Sequence, residues 1–240
     1  FEMYHANGTT VYWNPEGYRT VKHILLMASD DQKKELSDLT SELKTVTDDL
    51  AKLEAPAEDA EATPEATATP DPEATAEPAL TKEELEAKKA DLEKQIADKK
   101  QEILDSLQDK IDEVNAALES GKSFDDVMAE FGEDPGMKSE PSMTTGYYVS
   151  ANSTYWEDVF TQTAMSLKNV GDVSEPVVGS NGVHIICYNS DVTAGAVPLD
   201  EVRDELSASL LSDKQDETYK AAYQSWYDAA KIKKFPGKLD

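Results

Sequence analysis

Two short apolar stretches, each with one histidine, decide how the chain is interpreted: Val-Lys-His-Ile-Leu-Leu at residues 21–26 and Gly-Val-His-Ile-Ile at residues 182–186. Each predicts a strand that is buried on at least one face. The chain has three histidines, and two of them occupy these matching contexts. A lone histidine in a strand is more often a satisfied core residue than a functional one. If the two strands lie side by side, however, His23 and His184 meet.

The composition restricts the classes of function. Of the 240 residues, 49 are Asp or Glu and 23 are Lys or Arg, so the formal net charge is −26. This excess disfavours nucleic acid, whose phosphates would repel it, and adsorption to an anionic membrane surface. It is compatible with basic or unfolded partners. No apolar stretch approaches the roughly 18 residues that cross a membrane, so we expect no direct membrane insertion. The first residue, Phe1, favours a longer natural protein with a targeting segment ahead of it.

The sequence shows no motif for binding a metal ion or a nucleotide cofactor. The sequence has no Cys and His cluster with the spacing of metal ligands and no Gly-rich phosphate loop, so we expect neither a metal nor a cofactor. The single cysteine, Cys187, excludes an intrachain disulfide. We expect it to pack as an inert residue, because nothing near it in sequence would lower the pKa of the thiol.

A long insertion at residues 28–106 follows the first histidine strand. Residues 55–80 inside it are rich in Ala, Pro, Thr and acidic side chains, and we predict that they are disordered because they can bury little apolar area. Thr81 and Glu84 form a capping box at the start of a helix after this linker. The helix before it has an apolar stripe with heptad spacing: Leu36, Leu39, Leu43, Val46, Leu50 and Leu53. We predict an antiparallel helical hairpin, with two partly helical arms as the alternative.

The remaining chain predicts a mixed domain and a long final helix. The apolar stripe shifts phase at Leu107, which indicates that the second arm leaves its partner and packs on a globular core until Gly121 ends it. Pro198 opens the final helix, whose exposed aromatic end leaves dimerisation open. The elements between are, in order, a short helix capped by Ser123, a loop at residues 132–145, a strand at 147–149, an amphipathic helix at 154–167, and strands at 173–178 and 183–188.

The N-terminal segment, residues 1–17, allows two interpretations. Asn7 and Gly8 are typical of a tight hairpin turn, since this dipeptide readily adopts positive φ. Alternatively, the aromatic residues of the segment tether it to the rest of the chain.

The order of these elements resembles the parvulin family of peptidyl-prolyl isomerases. The resemblance rests on residues 21–26, on residues 117–131 with Gly-Lys-Ser-Phe at 121–124, on residues 160–177 with Gly-Asp-Val-Ser-Glu-Pro-Val at 171–177, and on residues 182–186. The extra N-terminal segment and the long final helix are further similar to extracytoplasmic foldases of the PrsA and SurA type.

The resemblance implies an α+β fold, a four-stranded antiparallel sheet wrapped by helices in which the first and last strands are neighbours. The isomerase domain would consist of residues 18–27 and 107–192, interrupted by the helical hairpin. Residues 193–240 would be the C-terminal helix left from a chaperone domain.

The resemblance also implies the site. His23 and His184 would lie beneath a proline pocket, and Asp134 falls where the family carries a cysteine or an aspartate. The implied pocket walls are Thr145, Tyr148, Trp156 and Phe160. A prolyl amide rotates over a barrier of ~18–20 kcal/mol because rotation breaks its resonance. Catalysis then requires only a site that binds the twisted amide better than the planar forms.

The function implied is a prolyl isomerase that assists the folding of exported proteins, acting on unfolded or partly folded polypeptides with Xaa-Pro bonds. We expect it outside the cytoplasm, secreted or lipid-anchored on a Gram-positive cell surface. Residues 143–148 depart from the glycine-rich strand entry of the family, which motivates an alternative, a parvulin-fold chaperone without turnover. The hairpin motivates another, a scaffold that docks a partner on its helical arms.

Overall fold

The computed structural model describes residues 1–54 and 80–230. The predicted disordered linker lies outside these residues except for its last position, and so does the end of the C-terminal segment. In chain order the elements are α1 (Glu2–Ala6), β1 (Trp13–Asn14), β2 (Arg19–Met27), α2 (Asp30–Glu54), α3 (Lys82–Ser106), α4 (Gln108–Glu119), α5 (Phe124–Phe131), a short 3-10 helix (Gly136–Lys138), α6 (Ser142–Thr145), β3 (Tyr147–Val149), α7 (Asp158–Ser166), β4 (Val177–Val178), β5 (Gly182–Asp191), β6 (Gly195–Ala196) and α8 (Leu199–Ala229).

A four-stranded antiparallel sheet in the order β3-β2-β5-β4 organises the fold. β2 and β5 carry the two histidine stretches and pair along their whole length. Leu25 lies opposite His184, and His23 lies opposite Ile186. Because residues two apart on a strand share a face, this register places both histidines on one face of the sheet. The predicted sheet and the neighbouring first and last strands are therefore confirmed.

The other face of the sheet forms the main core. Ile24 and Leu26 of β2, with Val183 and Ile185 of β5, are at most 1% exposed. They pack against the base of α3 and against α4 and α5. Three of these four core residues are β-branched, as suits a pleated and buried surface.

The two arms of the insertion pack against each other as an antiparallel hairpin. Lys99 pairs with Glu35, and Lys88 pairs with Glu42, so rising numbers on α3 meet falling numbers on α2. The apolar cluster between the arms is separate from the main core and consists of Leu39, Leu43, Val46, Leu50, Leu85 and Leu92. Leu53, the last position of the predicted stripe, is exposed.

The base of the hairpin belongs to the main core. Leu36 of α2 and Ile103 of α3 are buried there with the sheet residues. At Leu107 the helix breaks, and α4 begins at the next residue. This is where the apolar stripe changes phase, and the capping box of Thr81 and Glu84 is also formed as predicted.

The N-terminal segment does not form the hairpin that one interpretation expected. It forms α1, which ends at Ala6, and Gly8 two residues later has a φ of 68°. Phe1 and His5 lie one turn apart on this helix, and both rings pack on Tyr148. The aromatic tether is thus the interpretation that fits, and β1 then pairs with β6 in a separate two-stranded sheet.

Three predicted elements are shorter or more structured than expected. The predicted strand at 173–178 is reduced to β4, since Pro176 has no N–H for the ladder, and Val173 makes only an isolated bridge. The amphipathic helix starts at Asp158, so Trp156 precedes it. The loop at 132–145 contains the 3-10 helix and α6.

The long C-terminal helix is confirmed, and most of α8 is solvent-exposed. Val202 near its start is its one buried residue. Its aromatic side chains Tyr219, Tyr223, Trp226 and Tyr227 are 42–67% exposed. No described helix combines the length and the apolar character that a membrane crossing requires.

Truncation of Ile103 and of Leu92 separates the two clusters. We expect Ile103→Ala to lower the free energy of unfolding by about 2–5 kcal/mol, because it opens a cavity in the core that holds the sheet. Amide hydrogen exchange of β5 then accelerates. Leu92→Ala removes a similar volume from the hairpin cluster and accelerates exchange only in α2 and α3. Equal acceleration of β5 in both variants would contradict the separation of the clusters.

Candidate functional site

A cavity of about 390 Å³ opens on the histidine face of the sheet. Its floor is polar and consists of His23, Asp134, Glu157 and His184. Its wall is aromatic and consists of Tyr147, Tyr155, Trp156 and Phe160. An apolar concavity with a few convergent polar groups is the usual form of a small ligand site.

The two histidines are in direct contact. Their side chains are nearly buried, and the Nδ1 atoms of His23 and His184 lie 3.0 Å apart. One of these nitrogens must donate and the other must accept, so the contact couples the tautomers of the two rings. The register of β2 and β5 brings together residues that are 161 positions apart.

Asp134 lies in the loop after α5 and closes the other side of His23. Its Oδ2 accepts from His23 Nε2 at 2.7 Å and from the Tyr147 hydroxyl at 2.8 Å, and its Oδ1 accepts from Gly136 N at 2.9 Å. A Cβ at Gly136 would lie 1.8 Å from the Tyr147 hydroxyl, so this close approach needs a glycine.

These contacts fix the charge at this end of the site. Burial alone would raise the pKa of Asp134, but the hydrogen bonds from His23, Gly136 and Tyr147 together lower it to about 2. Burial lowers the pKa of His23, against the opposing effect of Asp134. At neutral pH the site therefore holds an ionised Asp134 beside a neutral His23, whose single ring proton is on Nε2.

The aromatic wall is held by contacts of its own. Trp156 Nε1 donates to the Tyr148 carbonyl at 2.8 Å, and its ring stacks on Tyr147 at 4.4 Å between centroids. Phe160, which is 3% exposed, presents its ring edgewise to His23 and His184. The wall is thus fixed before any ligand binds.

Two of the predicted wall residues, Thr145 and Tyr148, lie outside this cavity. Tyr148 stacks on His5 at 3.7 Å, and Thr145 donates to the Pro141 carbonyl at 2.9 Å. Both line a separate polar cavity. The reason is the two-residue period of a strand: Tyr147 of β3 faces the histidines, so Tyr148 faces away.

Five predicted residues are brought together at the cavity, and several that it contains were missed. His23, Asp134, His184 and Phe160 meet there with Trp156. The apolar residue Val149 could have pointed to Tyr147, because residues two apart in β3 share a face. No sequence signal pointed to Glu157 or to the rim residues Tyr155, Ser180 and Asn181.

Other reactive groups do not extend the site. Cys187 is buried, and burial raises the pKa of its thiol to about 11. In residues 1–54 and 80–230, no group of three or more His, Cys, Asp and Glu side chains is arranged to hold a metal ion.

Residues 73–190 match the family model described as rotamase, PPIC-type PPIase domain. The match begins within the linker of the insertion and so leaves out β2, which supplies His23. It does include β5, Asp134 and the aromatic wall.

Curated relatives carry the name foldase protein PrsA. The protein from Clostridium botulinum is 29% identical over 127 residues, which are 53% of this chain and 37% of that protein. The protein from Caldanaerobacter subterraneus is 39% identical over 77 residues, which are 32% of this chain and 24% of that protein. The chain therefore spans about a third of the length of the relatives it matches.

Solved structures with related sequences superpose only in part. PrsA from Bacillus subtilis is 24% identical over 53% of this chain and 47% of that chain, with a TM-score of 0.29. A SurA-like chaperone structure from Campylobacter jejuni is 17% identical over 98% of this chain and 68% of that chain, with a TM-score of 0.30. Scores at this level carry no argument about function.

The charges of the site predict a loss of stability in acid. Unfolded histidine takes up a proton below about pH 6.5, whereas His23 resists it, so the free energy of unfolding falls as the pH drops below 6.5. Asp134 adds a second loss as the pH falls from its usual pKa of 3.8 towards 2. Urea unfolding between pH 8 and pH 3 measures both, with a slope of about 1.4 kcal/mol per pH unit for one full proton.

A matched variant isolates His23 in this measurement. Burial also lowers the pKa of His5, so His5 contributes a loss in the same direction. In His5→Gln the slope that remains between pH 6.5 and pH 5, above the range in which carboxyl groups titrate, belongs to His23. A free energy of unfolding that stays constant from pH 8 to pH 5 in this variant would contradict the neutral His23.

Proposed function

We propose that this chain, which contains a PPIC-type rotamase domain, is a peptidyl-prolyl cis-trans isomerase that assists protein folding. One observation carries the proposal. The largely buried row of Asp134, His23 and His184 forms the floor of an aromatic-walled cavity.

The mechanism needs no covalent step. The amide barrier of ~18–20 kcal/mol reflects resonance between the carbonyl and the proline nitrogen. The planar amide is charge-separated, so transfer from water into an apolar wall disfavours it relative to the twisted form. Trp156 and Phe160 supply this wall and receive the proline ring. The enzyme thus binds the transition state better than either ground state.

The polar floor keeps the pocket in one shape and one charge state. His23 is neutral and fixed at both ring nitrogens, by Asp134 and by His184. A fixed set of dipoles costs no reorganisation when the amide twists. His23, His184 and Asp134 are therefore the residues on which catalysis depends, although no atom of them forms a bond to substrate.

The substrates proposed are unfolded or partly folded polypeptides with Xaa-Pro bonds. The relatives named foldase support this class, and the net charge of −26 suits basic or unfolded chains. We place the protein outside the cytoplasm, secreted or lipid-anchored on a Gram-positive surface, where it assists exported proteins. The exposed aromatic end of α8 is available for pairing with a second copy.

The division into domains is part of the same proposal. Residues 18–27 and 107–192 form the isomerase unit, 28–106 the inserted hairpin, 1–17 the N-terminal segment and 193–240 the C-terminal helix. The pairing of β2 with β5 supports the inclusion of β2 in the isomerase unit. The alternatives, a chaperone without turnover and a scaffold, are not favoured, because the cavity retains both a polar floor and an apolar wall.

NMR exchange spectroscopy on a short Ala-Pro peptide tests the activity. We expect the protein to accelerate cis/trans exchange and Asp134→Asn to reduce the acceleration by about 10- to 100-fold. That range corresponds to one charged hydrogen bond of about 1.5–3 kcal/mol.

Tyr148→Phe serves as the matched control. It alters a ring that faces away from the histidines, so we expect wild-type rates. Thermal unfolding confirms that each variant is folded. Absence of acceleration by the wild-type protein, or equal rates for Asp134→Asn and wild type, would refute the proposal.

A further inference from the structure

One buried nitrogen of the site is left without a hydrogen bond. The His184 side chain is 6% exposed, and its Nε2 makes no hydrogen bond within the described residues. Glu157 Oε1 lies 3.5 Å from this atom, inside the range of an ion pair but without hydrogen-bond geometry. A buried polar atom in this state costs free energy and calls for a partner.

The position of Glu157 is defined by the backbone around it. Its Oε2 accepts from Ser180 N at 2.9 Å. A Cβ at Gly179 would lie 2.1 Å from Glu157 Oε1 and 2.9 Å from His184 Nε2. The absence of a side chain at Gly179 therefore leaves the space in which the carboxylate approaches the imidazole.

The proton positions along the row follow from Asp134. Because Asp134 is ionised, His23 Nε2 carries a proton and donates to it. A neutral His23 has no proton on Nδ1, so His184 Nδ1 must donate across the 3.0 Å contact. A neutral His184 would then present the lone pair of Nε2 to the Glu157 carboxylate. Two acceptors facing each other in a buried place repel.

We propose that Glu157 is a positioning residue that shares one proton with His184 Nε2 and completes a four-residue row, Asp134, His23, His184 and Glu157, beneath the cavity. The shared proton turns a repulsive contact into a charge-assisted hydrogen bond. A small rotation of the Glu157 side chain, which is 32% exposed, brings the two atoms to bonding distance. The proton sharing stands on geometry, whereas its effect on isomerisation rests on the proposed function.

His184 and Glu157 then hold the shared proton as a coupled pair rather than as two separate groups. With the shared proton the row has a net charge of −1, from Asp134 and from the combination of Glu157 and His184. Without it the net charge is −2 in a largely buried site. The other titratable groups that face the pair are His23 on β2, Asp134 after α5, Tyr147 on β3, Tyr155 before α7, and Lys100 on α3, which acts on Glu157 through its charge.

Nitrogen-15 NMR of the imidazoles tests the proton sharing in the complete chain. We expect the His23 signals to show a proton on Nε2 alone at neutral pH. The His184 signals should show a proton on Nδ1 and a second one shared at Nε2.

Glu157→Gln and Asp158→Asn form the matched pair of variants. A glutamine can donate an amide N–H to His184 Nε2, so the ring keeps its place while the shared proton disappears. The shared proton at His184 Nε2 should be absent in Glu157→Gln. Asp158→Asn removes the adjacent, exposed carboxylate and should leave the shared proton in place.

The peptide exchange assay gives the second measurement. We expect the pH dependence of kcat/KM in Glu157→Gln to differ from that of the wild type, because the amide cannot share a proton with His184 as the carboxylate does. Glu157→Ala, which leaves the ring unsupported, should lower kcat/KM by roughly tenfold or more.

Two outcomes would overturn the inference. One is a His184 Nε2 without a proton throughout the pH range in the wild-type protein. The other is the same second proton at His184 Nε2 in Glu157→Gln as in wild type. Either leaves the isomerase proposal standing if peptide exchange is still accelerated. Conversely, an inactive protein that shows the shared proton would refute the isomerase proposal alone.

Discussion

The antiparallel pairing of β2 with β5 is the constraint on which the rest of the structure depends. It joins two segments that are far apart in the chain, and its register decides what each face of the sheet carries. One face receives Ile24 and Ile185 and becomes the main core. The other receives His23 and His184 and becomes the floor of the cavity. A slip by one residue would exchange these roles, so the buried apolar face also fixes the site.

The charge of Asp134 determines the arrangement of protons on the polar floor of the cavity. Asp134 is ionised because His23, Gly136 and Tyr147 all donate to it. Its charge then determines which nitrogen of His23 carries the proton, and His23 in turn orients His184. Order is thus transmitted along a row of side chains from three separate parts of the chain. Glycines at the two ends, Gly136 and Gly179, leave the space that the flanking carboxylates and the tyrosine hydroxyl need.

The sequence predicted what is encoded locally or in repeated patterns. The two histidine strands, the heptad stripe and the break at Leu107 are properties of neighbouring residues, and the fold follows from their order. Tyr148 was expected in the pocket wall, but its side chain faces away from the histidines. The sequence could not show this, because the orientation of a three-residue strand depends on its pairing with β2 rather than on its own pattern. Glu157 was missed for a similar reason, since its role exists only where the loop before α7 meets the turn before β5. The helix at residues 2–6 is accompanied by packing of Phe1 and His5 on Tyr148. This is a tertiary contact, and local helix propensity cannot predict it.

The hairpin between β2 and α4 bears on how such a chain finds its fold. The strand with His23 is separated from its partner by most of the molecule, and closing so long a loop carries an entropic cost. Helices α2 and α3 pack on each other along their length. Leu36 near the start of α2 and Ile103 near the end of α3 are therefore buried in the same core. Once the hairpin has formed, the two ends of the insertion lie close together. The loop that must close between β2 and the elements after Leu107 is then much shorter than the residue numbers suggest. We therefore expect the pairing of β2 with β5 to form faster than its separation in sequence alone would suggest.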